Sequence, residues 1–428
     1  MVRQMKESGI EWIGEIPADW STDRLQWHLE EIKVPNSPVQ SDRVLSLTIE
    51  SGVIPYEEKG NQGNKAKENY EEYKLAYPDT LVVNSMNVII GAVGISKYFG
   101  CVSPVYYVFK ANEGTDLRYI YYLFTNIGFQ KEMRKYAKGI LEIRLRISAS
   151  DMLRRVIPNP TYKEQCRIAD FLDKKCDEID TVIAKTKATI EEYKKLKLSI
   201  ISSAVTKGIR GCRPMRDSGN ACIGEMPADW KLVKMKYITK QIGDGIHTTP
   251  QYDSEGEYYF LNGNSIGKDS LVFKESTDRL TEIEYQKYKQ PLINNNTIMI
   301  TLNGATYGKT SFYNGEKVLL GKSAGFITLL PEINKRFIRY YLQSDSAYKV
   351  MELSLCGTTI QNLSLNTLRN FPTPTPSTEE MVEISDYLDK KCAEMDALIE
   401  KKTALLTEME AYKKSVIYEY VTGKKEIA

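Results

Sequence analysis

Two long segments of the chain carry apolar residues at helical spacing. Most of these residues recur every three or four positions along one stripe, which is typical of an amphipathic helix. Adding 216 to each position of the first set gives a second apolar set with no gap. Because prolines precede both segments and Gly208 and Gly423 follow them, each helix is predicted to span about 45 residues, or roughly 65 Å at 1.5 Å per residue. The two sets are Ile168, Leu172, Cys176, Ile179, Ile183, Ile190, Leu196 and Ile200, and Ile384, Leu388, Cys392, Met395, Ile399, Leu406, Tyr412 and Val416.

The helices belong to a repeat that runs through the chain. The sequence SGIEWIGEIPADW at residues 8–20 returns as SGNACIGEMPADW at residues 218–230, with nine of thirteen positions identical. The sequence FLDKKCDEID at residues 171–180 returns as YLDKKCAEMD at residues 387–396. The order of these elements is the same in both halves, so the chain is predicted to be an internal duplication.

Between the repeated elements lie segments with mixed signals of strand and helix. Short β-rich runs alternate with turn residues, and each series ends in an aromatic helical stretch, RYIYYLF at 118–124 and RFIRYYL at 336–342. The fold class predicted is α+β, with two mixed α/β globular units and two long helices that pack antiparallel as a coiled-coil spacer with pseudo-two-fold symmetry. The predicted boundaries are 1–158 and 211–374 for the globular units, and 159–210 and 375–428 for the helices.

Composition excludes several classes of protein. Lys and Arg total 58 against 56 Asp and Glu, so any basic surface has to be local. Only His28 and His247 are present, which removes most metal clusters and histidine-based hydrolytic triads. The seven cysteines are scattered without a CxxC pair, which favours buried thiols over disulfides or a zinc knuckle. Without an apolar run of membrane-spanning length, the chain is expected to be soluble and cytoplasmic.

The motifs of common enzyme sites are missing. No GxSxG elbow, HExxH helix or GxGxxG turn occurs, so no catalytic residue and no bound metal are predicted. The segment NGATYGKT at 303–310 resembles a phosphate-binding loop but has one residue too few between its glycines. An ATP-binding enzyme that uses Gly304 to Thr310 remains one alternative, and a coiled-coil scaffold whose globular ends bind proteins is another.

Small, polar and basic segments are instead candidates for contact with DNA phosphates and base edges. Residues 131–155 hold eight Lys or Arg against three acids. The alternation in EIRLRIS predicts that Glu142, Arg144 and Arg146 share one strand face while Ile143, Leu145 and Ile147 pack inward. A solvated helix face is the alternative reading of this stretch. The DNA-binding candidates in the first unit are Lys97, Arg134, Lys138, Arg144 and Arg146.

The second unit offers two polar loops. The segment IGDGIHTTPQY at 242–252 presents polar side chains between Gly245 and Pro250, although a purely structural turn explains the same residue types. The NGATYGKT segment has glycines that let a backbone approach a ligand closely. The DNA-binding candidates in these loops are Asp244, His247, Thr248, Thr249, Asn303, Thr306, Tyr307 and Lys309.

The repeated motifs resemble those of the specificity subunit of type I restriction-modification systems. A GxxWIGxIPxxW segment precedes each globular unit, a helix then opens as xFLDxxxxxID, and the first copy of that helix ends near AVTKG. The resemblance covers essentially the whole chain. The second copy departs at Ala221 and Cys222, which stand where the first has Glu11 and Trp12.

The resemblance implies two target-recognition domains at 1–158 and 211–374, each reading one half of a bipartite, asymmetric DNA target. It also implies that the helices hold the domains apart and bind two methyltransferase subunits, with restriction and translocation subunits completing a nuclease. S-adenosylmethionine, ATP and magnesium are then expected on the partner subunits, and this chain is expected to bind no cofactor.

Overall fold

Two compact units make up the chain. The computed structural model divides it into Met1–Lys187 with Ala404–Ala428, here unit 1, and Ala188–Thr403, here unit 2. In the described part of the chain, every helix is too short or too polar to form a membrane span. The structure describes residues 3–60, 67, 69–139, 145–288, 293–355 and 362–427.

Unit 1 is built on a four-stranded antiparallel sheet. Its helices are α1 (Leu117–Thr125), α2 (Ile127–Tyr136), α3 (Ala149–Leu153) and the first part of α4 (Tyr162–Lys207). Its strands are β1 (Met5–Ile10), β2 (Gly14–Pro17), β3 (Ser21–Arg24), β4 (Leu29–Glu31), β5 (Leu45–Thr48), β6 (Gly52–Pro55), β7 (Lys74–Ala76), β8 (Thr80–Asn84), β9 (Val93–Ser96), β10 (Gly100–Val102), β11 (Tyr106–Ala111) and β12 (Val156–Asn159).

The order of the main sheet in unit 1 is β4-β11-β8-β9, and every neighbouring pair is antiparallel. Strand β8, TLVVN, is buried at all five positions, which suits an apolar, β-branched run in the middle of a sheet. Four two-stranded ladders surround it: β1-β2, β5-β6, β7-β10 and β3-β12.

Unit 2 is also built on a four-stranded antiparallel sheet. Its helices are α5 (Glu282–Tyr288), α6 (Lys335–Leu342), α7 (Asp345–Leu353), α8 (Leu365–Arg369) and most of α9 (Thr378–Val421), with the end of α4. Its strands are β13 (Met215–Asp217), β14 (Glu225–Pro227), β15 (Lys231–Lys234), β16 (Thr239–Asp244), β17 (Tyr258–Leu261), β18 (Arg279–Leu280), β19 (Thr297–Thr301), β20 (Thr310–Phe312), β21 (Val318–Leu320), β22 (Ala324–Leu329) and β23 (Pro372–Thr375).

The main sheet of unit 2 has the order β16-β22-β19-β20, again fully antiparallel. Strand β19, TIMIT, takes the place of β8 and is also buried throughout. A three-stranded sheet, β18-β17-β21, is added in unit 2, and its β17-β21 pair is parallel. The ladders β13-β14 and β15-β23 match β1-β2 and β3-β12 of unit 1.

In unit 1 the aromatic helix α1 is bound to the start of α4 by charge-assisted hydrogen bonds. The Arg118 guanidinium donates to Asp170 at 2.7 Å and to Asp173 at 2.8 Å. The hydroxyl of Tyr122 donates to Asp173 at 2.7 Å. Burial and this hydrogen bond raise the pKa of Tyr122, so the phenol stays protonated and remains a donor.

Unit 2 contains the same arrangement at the matching positions. The Arg336 guanidinium pairs with Asp386 at 2.8 Å and with Asp389 at 2.5 Å. The hydroxyl of Tyr340 donates to Asp389 at 2.7 Å, and burial again raises the pKa of the phenol. The two aromatic stretches, at 118–124 and 336–342, therefore make the same contact between a globular unit and its long helix.

Within each unit, segments of α4 and α9 run antiparallel and are joined by ion pairs. In unit 1, Lys413 pairs with Asp180 at 2.6 Å. In unit 2, Lys197 pairs with Asp396 at 2.5 Å. These two pairs are equivalent after the 216-residue shift, and they hold the same register in both units.

The apolar stripe differs from the sequence-based assignment at two positions. Leu196 is 46% exposed and Tyr412 is 47% exposed. Leu196 follows Ile190 by six residues, which at about 100° per residue places it roughly 120° away from the stripe. The inward position belongs to Lys197, whose side chain is only 15% exposed beside Asp396. Lys413 takes the same place beside Asp180.

The C-terminal end of each long helix packs against a tryptophan. A Cβ at Gly208 would lie 3.3 Å from Trp230, and one at Gly423 would lie 3.1 Å from Trp20. Both glycines have positive φ, 75° and 69°, which is the usual ending of a helix. The tryptophans belong to the repeated ADW motif, so this motif covers the end of a long helix in both units.

A carboxylate beside each tryptophan completes the contact, but its burial differs between the units. Glu380 is 2% exposed and binds both Arg213 and the indole Nε1 of Trp230, the latter at 3.1 Å. Glu164 is 25% exposed and binds Arg3 at 3.1 Å. The Nε1 of Trp20 is buried without a hydrogen-bond partner among the described residues.

This difference predicts unequal losses of stability. Glu380→Ala should lower the free energy of unfolding by about 2 kcal/mol, because it leaves the buried indole N–H of Trp230 without an acceptor and leaves the Arg213 guanidinium with Asp229 alone. Glu164→Ala, the matched control in unit 1, should cost about 1 kcal/mol because its ion pair is partly solvated. Thermal and urea unfolding of both variants measure the difference, and equal losses would contradict the prediction.

Candidate nucleic-acid interface

The two polar loops of unit 2 leave its main sheet at the same end. Strand β16 ends at Asp244, which is paired with Gly325. Strand β19 ends at Thr301, which is paired with Ala324 on the other side of β22. The loops that follow β16 and β19 therefore begin on either side of the first residues of β22.

The loop after β16 is anchored by its backbone and presents polar side chains. Gly245 N donates to Ala324 O at 2.8 Å. His247 Nε2 lies 3.0 Å from Asp244 Oδ2, and the imidazole is 72% exposed. Thr248 and the following threonine, Thr249, are also exposed. The carboxylate holds the imidazole in place while leaving the rest of the ring accessible to a ligand.

The loop from Asn303 to Lys309 is a hairpin connection between β19 and β20. Gly308 N donates to Thr301 O at 2.8 Å, and Lys309 N donates to Thr306 O at 3.2 Å. A P-loop instead leads from a strand into a helix and points its free amides at a phosphate. The hairpin geometry therefore disfavours the nucleotide-binding alternative.

Two of the DNA-binding candidates in this hairpin line a cleft of about 730 Å³ within unit 2. Thr306 and Lys309 are exposed and face it, together with Lys197, Arg339 and Ile399. The other two candidates in this hairpin are less accessible to a ligand. The backbone of Asn303 forms an isolated β-bridge with Asn362. The ring of Tyr307 is half-buried and lies 5.9 Å from the ring of Tyr348.

In unit 1, Lys138 and Arg146 are brought to the matching end of the sheet. Their backbones exchange hydrogen bonds of 2.8 and 2.9 Å, and both side chains are exposed. Ile147 is buried, and its N–H donates to Ser85 O at 3.1 Å, just beyond the end of β8. Arg146 is exposed and Ile147 is buried, as predicted, and Leu145 is half-buried. Glu142, Ile143 and Arg144 lie outside the described residues.

The rest of the basic stretch in unit 1 is partly neutralised. Arg134 is exposed on α2. Lys135 is bound by Glu11 and by Glu132, which raise its pKa. The Arg155 guanidinium lies 3.3 Å from the ring centroid of Tyr136. For Lys135 and Arg155, the alternative of a solvated structural face fits better than contact with a phosphate.

Lys97 lies at the opposite end of the sheet in unit 1. It is exposed and directly follows β9, whose last residue, Ser96, accepts a 2.9 Å hydrogen bond from Asp79 N at the start of β8. Lys138 and Arg146 lie where β8 ends. The structure therefore does not bring Lys97 together with them.

Sequence reasoning missed a basic residue in unit 2. Lys322 is exposed in the short turn between β21 and β22, next to Gly321 and Ser323. Ser323 has φ 68°, an uncommon conformation for a residue other than glycine. The only available signal was a GKS triplet between two apolar runs, and a single lysine in a turn is too common to stand out.

Nothing in the described part of the chain resembles a metal centre: no group of three or more His, Cys, Asp or Glu is placed to hold an ion. His28 is buried, its Nδ1 lies 3.0 Å from Thr115 Oγ1, and burial lowers the pKa of the imidazole. This histidine packs inside unit 1. The candidate surface consists of exposed polar and basic side chains at sheet ends, which suits contact with DNA.

Comparison with known proteins agrees with this assignment. The family described as "Type I restriction modification DNA specificity domain" matches residues 227–408. The type I restriction enzyme MjaVIII specificity subunit of Methanocaldococcus jannaschii is 26% identical over 420 residues, covering 96% of this chain and 93% of the relative. The putative MjaX specificity subunit of the same organism is 25% identical over 433 residues, covering 96% and 95%.

Solved structures share the fold. A chain from a type I R-M system, described for its complex assembly and conformational transition, superposes with a TM-score of 0.72 at 16% identity, covering 96% of this chain and 99% of that one. The HsdS subunit from Thermoanaerobacter tengcongensis gives a TM-score of 0.52 at 14% identity, covering 96% and 98%. The mixed fold with two long helices is therefore shared with these proteins.

The chain thus carries a DNA specificity domain of the type I restriction-modification class. Over 96% of its length it is similar to specificity subunits of type I restriction-modification systems. Such subunits are the non-catalytic DNA-recognition components, distinct from the methyltransferase and restriction subunits.

The location of Lys138 and Arg146 predicts phosphate contacts by unit 1. Alanine at either position should weaken DNA binding by the assembled complex across different sequences and should reduce the slope of log affinity against log salt by about one. Lys110→Ala is the matched control, because Lys110 lies on β11 at the other end of the sheet and is paired with Glu30. Fluorescence anisotropy at several salt concentrations measures the slopes, and a slope unchanged from the parent would rule out these contacts.

Proposed function

We propose that this specificity subunit reads a bipartite, asymmetric DNA target, with one half recognised by unit 1 and the other by unit 2. The recognition domains are assigned to residues 1–158 and 211–374, and the long helices act as the spacer between them. The helices form an antiparallel pair with approximate two-fold symmetry and set the number of unread base pairs between the half-sites.

The observation that carries this proposal is the contrast between what the units share and what they do not. The ion pairs Lys197–Asp396 and Lys413–Asp180 match, and so do the contacts of Asp173 and Asp389. The segments at the sheet ends differ in length and residue type. Identical frames with different loops suit a protein that presents two different DNA-reading surfaces in the same way.

The matching frames also suit two copies of one partner. We expect two methyltransferase subunits to bind the shared helical elements, and restriction and translocation subunits to join them in the complete nuclease. S-adenosylmethionine, ATP and magnesium are assigned to those partners, and DNA is the ligand of this chain. Adenine methylation, which requires flipping a base out of the duplex, falls to the methyltransferases.

The decisive experiment is to map methylated adenines by long-read sequencing in a strain that carries the complete system and in one that lacks this chain. A two-part motif with an unread gap, lost when the chain is absent, is the expected result. The coiled-coil scaffold without DNA binding is the competing function. A DNA pull-down of the assembled complex at moderate salt separates them, because a scaffold would not retain a specific duplex.

We expect the length of the helices to determine the gap, which is the number of unread base pairs between the two half-sites. Four residues, about one helical turn, inserted in both helices after Lys187 and after Thr403 add about 6 Å and should widen the gap by about two base pairs at 3.4 Å per base pair. These two insertion points are equivalent after the 216-residue shift. Insertion in one helix alone should also change the gap.

Both half-site sequences should remain as they were in these variants, and methylome sequencing reads the gap and the half-sites together. An unchanged gap in the doubly extended variant would count against the helices as the spacer.

Catalysis is expected only in the complex. The purified chain, supplied with S-adenosylmethionine and DNA, should transfer no methyl group and cut no strand, because its described residues offer no catalytic constellation and its family supplies specificity. Tritiated methyl transfer to plasmid DNA measures this, with the complete complex as the positive control. Methylation by the isolated chain would overturn the division of labour.

A further inference from the structure

We propose that unit 2 reads its half-site with a platform centred on the turn Gly321–Ser323, in which Lys322, Asn262 and Asn264 contact DNA beside the loop of His247. The inference rests on the proposed function and adds three contact residues to it. It is independent of the cleft lined by Thr306 and Lys309.

Backbone hydrogen bonds gather the neighbouring segments around this turn. Gly321 N donates to Leu261 O, and Ile246 N donates to Leu320 O, both at 2.8 Å. On the other side of the turn, Leu302 N donates to Ser323 O at 2.8 Å. The ends of β16, β17 and β19 are thus all joined to the connection between β21 and β22.

Glycines allow these segments to touch. A Cβ at Gly245 would lie 2.0 Å from Gly321 O, a distance that no real side chain tolerates. A Cβ at Gly263 would lie 2.9 Å from Ser323 O, and one at Gly321 would lie 2.7 Å from Asn262 Oδ1. The loops are therefore packed backbone to backbone, and their tips form one surface.

The turn itself holds an unfavourable conformation. Ser323 has φ 68°, in the left-handed region that residues other than glycine seldom adopt. Such a residue persists where its surroundings determine its backbone, and such residues concentrate at binding sites. Here the hydrogen bond from Leu302 N to Ser323 O and the contact with Gly263 hold the residue in place, so Lys322 projects from a rigid turn.

The exposed side chains of the platform have the chemistry of base and phosphate readout. Asn262, Asn264 and Lys322 are exposed, while the glycines beneath them are buried. An asparagine amide can pair with adenine N6 and N7, and a lysine can bind guanine O6 and N7 or a phosphate. The corresponding turn in unit 1, Ser103–Val105 before β11, carries no basic residue. The platform is therefore specific to unit 2 and suits a half-site different from that of unit 1.

The test uses the complete complex with Asn262→Ala, Asn264→Ala and Lys322→Ala. We expect at least one asparagine variant to relax a single base pair of one half-site by roughly 5- to 150-fold, while the other half-site is read as in the parent. Lys322→Ala should weaken the affinity of the complex for DNA. If Lys322 contacts a base, specificity is relaxed at that base pair; if it contacts a phosphate, the slope of log affinity against log salt becomes smaller by about one. Methylome sequencing and anisotropy with the mapped duplex measure these effects.

Lys240→Ala is the matched control. Lys240 is an exposed lysine on β16 at the opposite end of the same sheet. The platform is refuted if all three variants keep the parent's motif and affinity, or if Lys240→Ala causes the same loss as Lys322→Ala. Failure of the proposed function is distinguishable, because the parent complex itself would then show no bipartite motif and no specific DNA binding.

Discussion

In each unit one carboxylate of the long helix, Asp173 in unit 1 and Asp389 in unit 2, binds the aromatic helix of the globular part. Each accepts a tyrosine hydroxyl and an arginine N–H from the aromatic helix of its own unit. Charge-assisted hydrogen bonds of this kind are directional and stronger than neutral ones, so they stabilise the contact and also fix the orientation of the two helices that they join. These bonds therefore fix the orientation of α1 on α4 and of α6 on α9.

A fixed orientation explains why the loops are free to differ. The two units share the strand order of the main sheet and its buried strand, β8 or β19, whereas the three-stranded sheet β18-β17-β21 occurs in unit 2. Loops at the end of a rigid sheet carry little of the packing energy, so they accept new residues without disturbing the frame. In unit 2, β21 leads into the turn that carries Lys322, whereas in unit 1 the corresponding strand β10 leads into Ser103–Val105.

The elements that sequence could predict are those fixed by local periodicity. The two helices were expected at about 45 residues and have 46 and 44, because a 3.6-residue repeat, prolines and terminal glycines specify a helix locally. The matching contacts of Tyr122 and Tyr340 were visible only as a faint similarity. The candidate site was harder: which strands end together depends on long-range pairing, so the distance of Lys97 from Lys138 and the importance of Lys322 could not be read from spacing. Whether the candidate residues contact DNA stays a prediction.

The error at Leu196 and Tyr412 points to a design feature of the helices. The hydrophobic pattern predicts that an apolar side chain lies between the two helices at this point. The position is occupied instead by Lys197 and Lys413, whose alkyl stems are largely covered. Their ammonium groups reach Asp396 and Asp180. An apolar residue there would pack about equally well if the helices slid by a turn. A lysine with one matching carboxylate favours a single register, as polar residues at coiled-coil seams do, at some cost in stability. For helices whose relative position would set the distance between two DNA half-sites, a fixed register matters more than maximal burial.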